Sequence, residues 1–340
     1  MMQVVRMGLG ERGRAYACAL VLVPGCSAGS ADAQEGASVT GTSGSATSST
    51  TAGIEETTGG ATGTSGSSTS AGSSSSTTGA STCNGVADLC DRPYDRVVFP
   101  GTHNSVAATE SGFSSLNANQ TRPVLAQLED GIRVLLLDVT YDGEQTALCH
   151  GPCALGSRPH VEVLLELRDF MHANPDEVVT IIYQDSVDAS DVEADFMAAE
   201  LVDLAYVHDG GPWPTLGEMV SQGRRLVVTA EVGGPPPEWY HHVWDLAFDT
   251  PYTFTDVSAF TCTLNRGQAD NQLFLMNHWL STEASLPDMS AAPEANTFEV
   301  LMQRVTDCET TMGRRPTFIA VDFYEQGDLF AVVDALNESQ

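Results

Sequence analysis

Beyond residue 95 the apolar positions fall into two alternating kinds of run. Val97-Val98-Phe99, Ile132 to Val139, Val178 to Tyr183, Leu226 to Ala230, Leu273 to Asn277 and Thr317 to Phe323 are short and almost continuously apolar, the pattern of strands buried on both faces of a parallel sheet. Between them apolar residues recur at helical spacing. Gln120 to Asp130 carries Val124, Leu125 and Leu128 and stops at Gly131, and Val161 to His172 carries Val161, Leu164, Leu165, Leu167 and Phe170 and closes at Asn174-Pro175. Further helices are expected over 190–206, 213–220, 297–311 and 328–336. Residues 104–119 are polar and irregular, and 233–270 are Pro-rich, with Pro235-Pro236-Pro237 excluding regular structure locally.

Strands alternating with helices over this length predict a parallel α/β barrel, with its active site at the C-terminal ends of the strands. A doubly wound sheet is the alternative, but no Gly-rich phosphate loop follows any strand. The first strand is expected over Arg96 to Phe99, stopping at a Pro100-Gly101 turn that presents His103 beside Asn104. The next is expected to end in Asp138, and a return segment, Thr146 to Cys149, brings up His150. Other strand ends supply Gln184-Asp185, Asn277-His278 and Asp322, with Glu231 just after Ala230. His278 is read as structural.

Two histidines on one rim can serve as base and acid on a phosphodiester, since imidazole titrates near neutral pH. Asn104, Asp138, Gln184 and Asp185 offer hard oxygen ligands of the kind that suit Ca²⁺ rather than zinc.

Composition divides the chain before this domain begins. Arg6, Arg12 and Arg14 precede the short apolar stretch Ala15 to Val23 and then Pro24-Gly25-Cys26, the layout of a secretory signal too short to span a bilayer. Residues 1–26 resemble a bacterial lipoprotein signal in which Cys26 becomes the lipid-bearing first residue; Pro24 is foreign to that box, so plain secretion stays open. An exported protein anchored to the cell envelope at the outer membrane is the expectation. Residues 27–82 are nearly all Ser, Thr, Gly and Ala with a single apolar residue larger than Val, Ile54, too poor in burial to fold. They form a linker with a reach of roughly 40 Å. Residues 83–340 form the domain, expected as a monomer.

The formal charge is −30 and all 15 cationic residues are Arg, which excludes nucleic acid as a partner. Past Cys26 six cysteines remain; an exported chain favours disulfides over a zinc site. Fifteen pairings are possible. Short separations favour Cys83 with Cys90 and Cys149 with Cys153, leaving Cys262 with Cys308.

Phe99-Pro100-Gly101-Thr102-His103-Asn104-Ser105, Gln127 to Asp138, and Cys149-His150-Gly151 resemble the X-domain region of phosphatidylinositol-specific phospholipase C. The likeness continues through Asn174 to Ile182, Leu273 to Asn277 and Ile319 to Tyr324, similar to secreted phospholipase C-like phosphodiesterases. It implies an irregular TIM-type (β/α) barrel and a phosphoric diester hydrolase acting on a phospholipid at a membrane surface. It further implies His103 as base on the inositol 2-hydroxyl and His150 as acid on the diacylglycerol oxygen, with a cyclic phosphate as first product. Asn104 and Asp138 match calcium positions. The metal-free branch has an arginine where Asp138 stands, so the cation is expected from outside the chain.

Three departures stand against this. Leu136 replaces an acid, Gln184 replaces a glutamate unless Asp185 or Glu231 substitutes, and the chain has no Lys to hold a polyphosphorylated ring. Asn277, Asp322 and Glu231 remain as substrate-binding candidates. A catalytically impaired, lipid-tethered binding module and a phospholipase D-like hydrolase are the competing readings.

Overall fold

The computed structural model describes residues 82–339; the signal, Cys26 with its expected lipid, and the linker as far as Ser81 lie outside the described residues. Ten strands make one sheet. In chain order they are β1 Phe99–Thr102, β2 Val134–Asp142, β3 Gln145–Leu148, β4 Arg158–Pro159, β5 Val179–Asp185, β6 Leu226–Ala230, β7 Tyr240–His242, β8 Ala247–Asp249, β9 Leu273–His278 and β10 Phe318–Val321. The parallel path runs β7-β6-β5-β2-β1-β10-β9-β8, so the sheet curls round. Among the described residues no ladder joins β7 to β8, and the short helix Val243–Leu246 spans that gap. The result is an irregular α/β barrel, with β3 and β4 added antiparallel at the end of β2.

Alternation along each strand sorts side chains between two cores. Leu135, Leu137 and Val139 of β2, Ile181 and Tyr183 of β5, and Phe274 and Met276 of β9 pack outward against the helices. Val134, Ile182, Leu273, Leu275, Phe318 and Ala320 fill the barrel interior, with Leu136 packed against them. The same parity carries Asp138, Gln184, Asn277 and Asp322 inward at the strand ends. It turns Asp185 and His278 outward.

Two local expectations are corrected. Pro100 and Gly101 lie inside β1 rather than in a turn after it. The Pro100 carbonyl accepts from Arg133 N–H on the β2 side at 2.9 Å, so the missing proline donor faces that side too. There the ladder begins only at Gly101 with Val134, and nothing is lost. Gly101 is favoured by closeness, because a Cβ there would meet the Val134 Cβ at 3.0 Å and push β2 aside by a few tenths of an ångström. Strand β2 also runs past Asp138 to Asp142 and turns back into β3, which places Asp138 within the strand.

The helix expected over 190–206 stops at Ala198, and the one over 213–220 starts at Leu216, capped by Thr215 and Glu218 in a capping box. The disulfides are Cys83–Cys90, Cys149–Cys153 and Cys262–Cys308, the pairing that the separations favour. No helix among the described residues is long and apolar enough to cross a membrane.

Candidate active site

His103 follows β1, its N–H held by the Val321 carbonyl at 3.0 Å. Its Nδ1 lies 2.9 Å from Asp322 Oδ1. A carboxylate can only accept, so Nδ1 carries a proton, and in the neutral imidazole Nε2 is then the nitrogen with the lone pair. Asp322 is buried and holds the histidine from behind, which makes it an orienting group rather than the substrate contact expected of it. His150 is fixed separately: Nδ1 donates to the Asn117 carbonyl at 2.7 Å, and Asn117 Nδ2 donates back to the His150 carbonyl at 2.7 Å. The Cys149–Cys153 disulfide closes the short loop that carries it. The two imidazoles stand 6.4 Å apart, centroid to centroid, at 64°. Burial pushes the His150 pKa below its ordinary value, the nearby His103 adding to this against the Asn117 carbonyl and Asp322.

Beside His103 lies a cavity of about 70 Å³, bordered by Asn104, Asp138, Gln184, Glu231, Arg266 and Asn277, with Leu136, Ile182 and Leu275 as its apolar floor. Asp138 and Gln184 are direct neighbours across β2 and β5. Asn104 would point outward by strand parity, but its left-handed backbone, φ 45°, breaks the alternation, and asparagine tolerates that conformation best among residues with a Cβ.

The Asp138 carboxylate makes no hydrogen bond among the described residues. Burial raises its pKa to about 6, with Glu231 raising and His103 lowering it. Glu231 is raised by burial against the pull of Arg266. Asp185 takes no part: its carboxylate accepts from the N–H groups of Val232 at 2.8 Å and Gly233 at 2.6 Å behind the sheet. His278 is buried on the outer face against the Ala295 carbonyl.

The sequence reading missed Arg266, Trp279, Asn117 and Asn119. Arg266 brings a cation into the cavity from within the chain, correcting the expectation that any positive charge must come from outside. Its guanidinium is already committed, at 2.7 Å to Glu231 and 2.6 Å to the buried Asp249, and it lies over the rings of Trp244 and Tyr252. The carboxylates of Asp138, Glu231 and Asp249 therefore outnumber the one guanidinium, and the site stays negative. Trp279 stacks on His103 with centroids 3.7 Å apart and planes 6° from parallel. It sits two residues after inward-facing Asn277, a period the sequence does carry; Arg266 lies in the segment that has none.

The oxygen set fits a hard cation. The Asp138 carboxylate is unpartnered, Asn277 Oδ1 is buried without a partner, and Asn104 and Gln184 add amide oxygens. His103, with its Nδ1 on Asp322, is the only His or Cys among the described residues bordering the cavity, which suits neither zinc nor another metal needing several nitrogen or sulfur ligands.

A parallel barrel closed irregularly, with two histidines and inward-facing oxygens at its C-terminal mouth, defines a PI-PLC-like fold. The model of the family described as PI-PLC X 1 matches residues 89–337, and the chain belongs to the PI-PLC X-domain family. It is similar to "PI-PLC X domain-containing protein 1" of Arthroderma benhamiae, 28% identical over 270 residues that cover 74% of this chain and 87% of that protein. It is also similar to an "Uncharacterized secreted protein" of the same fungus, at 28% over 74% of this chain and 63% of the relative. A third relative is "PI-PLC X domain-containing protein At5g67130" of Arabidopsis thaliana, at 27% over 72% of this chain and 62% of the relative. Among solved structures, the phosphatidylinositol-specific phospholipase C from Listeria monocytogenes aligns with a TM-score of 0.48 and 16% identity, over 73% of this chain and 95% of its own.

Proposed function

We propose that the chain is a phosphodiesterase of the phospholipase C type, acting on phosphatidylinositol or a related phosphodiester. The observation that carries this reading is the pair of histidines 6.4 Å apart, each with Nδ1 occupied by a different partner. Both Nε2 atoms are thereby left for substrate. His103 Nε2 takes the proton of the inositol 2-hydroxyl as its oxygen attacks phosphorus. The Asp322 carboxylate steadies the imidazolium that forms. His150, protonated at Nε2, gives its proton to the departing diacylglycerol oxygen, and the headgroup leaves as a cyclic phosphate.

A Ca²⁺ ion held by Asn104 and Asp138, with Gln184 beside them, would neutralise charge developing on the phosphoryl oxygens. The negative balance around Arg266 favours such a cation over an unaided phosphate site. On this reading Asn277 and Glu231, which border the cavity, would contact headgroup hydroxyls.

A lipid surface as substrate is supported by the mouth itself. Leu116, Val232 and Leu264, 64%, 76% and 45% exposed, sit on the loops after β1, β6 and β8. The arginines near the mouth, Arg122, Arg158 and Arg266, are each paired with an acid. We further infer export and tethering through Cys26, and three disulfides suit that compartment.

The competing reading, a binding module without turnover, draws support from Leu136 in the cavity floor and from Trp279 covering one face of His103. The test is incubation with phosphatidylinositol vesicles, with Ca²⁺ or chelator, and ³¹P NMR of the soluble product. A cyclic inositol phosphate, absent with His103→Ala, is the expected result; phosphatidic acid in the vesicles with no soluble phosphorus points to phospholipase D-type cleavage. No turnover, together with an unchanged melting temperature on adding Ca²⁺, leaves the module.

A further inference from the structure

Asn119 lies in the polar stretch between β1 and the helix Val124–Asp130 and is 1% exposed. Its backbone is tied on both sides: its N–H donates to the Ala107 carbonyl at 2.9 Å, and its carbonyl accepts from Phe323 N–H at 2.8 Å, next to Asp322. The side chain therefore leaves from a fixed point. Its amide touches both functional halves of the site.

The orientation of that amide follows from the chemistry of its partners. Asn119 is 2.9 Å from Asp322 Oδ2, and because a carboxylate can only accept, the Asn119 nitrogen must face it. The Asn119 oxygen then faces Asn104 and accepts from Asn104 Nδ2 at 3.1 Å. This settles Asn104 in turn, whose side-chain nitrogen is used and whose side-chain oxygen makes no hydrogen bond among the described residues. The Asn119 nitrogen also lies 3.3 Å from His103 Nδ1. A donor there cannot accept the Nδ1 proton of His103, so that proton stays directed at Asp322. Both amides could swap oxygen for nitrogen at almost no steric cost, and only the carboxylate at the end of the relay decides.

We propose that Asn119 is a positioning residue that couples the two halves of the site: oriented by Asp322, its amide holds the His103–Asp322 pair and at the same time presents the oxygen of Asn104. The proposal rests on the reading of His103 as the general base. It adds that the base and the oxygen donor beside it are set by one residue that touches no substrate.

The test uses the full chain, Asn119→Ala, and Asn119→Asp as a second variant that keeps the acceptor for Asn104 but sets a like charge against Asp322. In the parent, the hydrogen-bonded His103 Nδ1 proton gives a downfield ¹H NMR resonance, identified by its loss in His103→Ala. This resonance is expected to broaden or move in both variants. On phosphatidylinositol, Asn119→Ala is expected to lower kcat on the order of 10²-fold with KM nearly unchanged, the scale set by a small misplacement of catalytic groups. Asn104→Ala is expected to cost less in the Asn119→Ala background than in the parent, because the two act through each other. An unmoved resonance, or full additivity of the two substitutions, overturns the proposal. If the parent turns over no diester, the enzymatic reading fails by itself, and the resonance alone decides whether Asn119 positions His103.

Discussion

Asp138→Asn gives the sharpest test of the electrostatics inside the barrel. Asp138 stands above Leu136, Ile182 and Leu275, and burial lifts its carboxyl from 3.8 to about 6. Between those two values the folded chain binds the extra proton, so stability falls as pH rises through that window. The cost is absent below the lower value and fully present above the upper one, where it amounts to about 3 kcal/mol. The asparagine variant keeps the shape and removes the charge. Urea unfolding in chelated buffer at pH 4 and pH 8 is the assay, with the midpoint and slope compared at each pH. Parent and variant are expected to differ little at pH 4, while the variant is more stable by about 3 kcal/mol at pH 8. Adding Ca²⁺ at pH 8 should stabilise the parent alone. A gap of the same size at both pH values, or a variant less stable at pH 8, would refute the buried and uncompensated charge.

Two further outcomes follow from the site and its supports. Since His150 must be protonated to act as an acid, and burial lowers its pKa below 6.5, the alkaline limb of kcat/KM should fall below pH 6.5; a limb well above pH 7 would remove His150 from that role. The Cys262–Cys308 disulfide closes a span of 46 residues and fastens the loop after β8 to the helix Phe298–Met312, so replacing both cysteines by serine should cost about 4 kcal/mol in a chemical denaturation curve. A loss below about 1 kcal/mol would mean that the buried Arg304 contacts, over Phe254 and Phe260, hold that loop unaided.

Much of the frame was written in local pattern. Continuous apolar runs marked β2, β5, β6, β9 and β10 because strands covered on both faces tolerate few polar side chains. Gly131 ended a helix with φ 115°, and short separations favoured two cysteine pairs and left the third. His103, Asp138, Gln184 and Asp322 were legible for the same reason: polar residues closing apolar strands stand out.

What the sequence could not decide was parity and long-range company. Gln184 and Asp185 are adjacent in the chain, yet one faces the cavity and the other is spent on Val232 and Gly233, because a single residue of register exchanges the faces of a strand. Asp322 reads like any acid at a strand end until the curl of the sheet sets it behind His103, 219 residues away. Arg266 and Asn119 come from segments without periodicity, and each is placed by hydrogen bonds to residues distant in sequence. Local pattern fixes which elements form. Only closure of the barrel decides which of their polar ends meet, because that depends on contacts whose geometry no short stretch of chain contains.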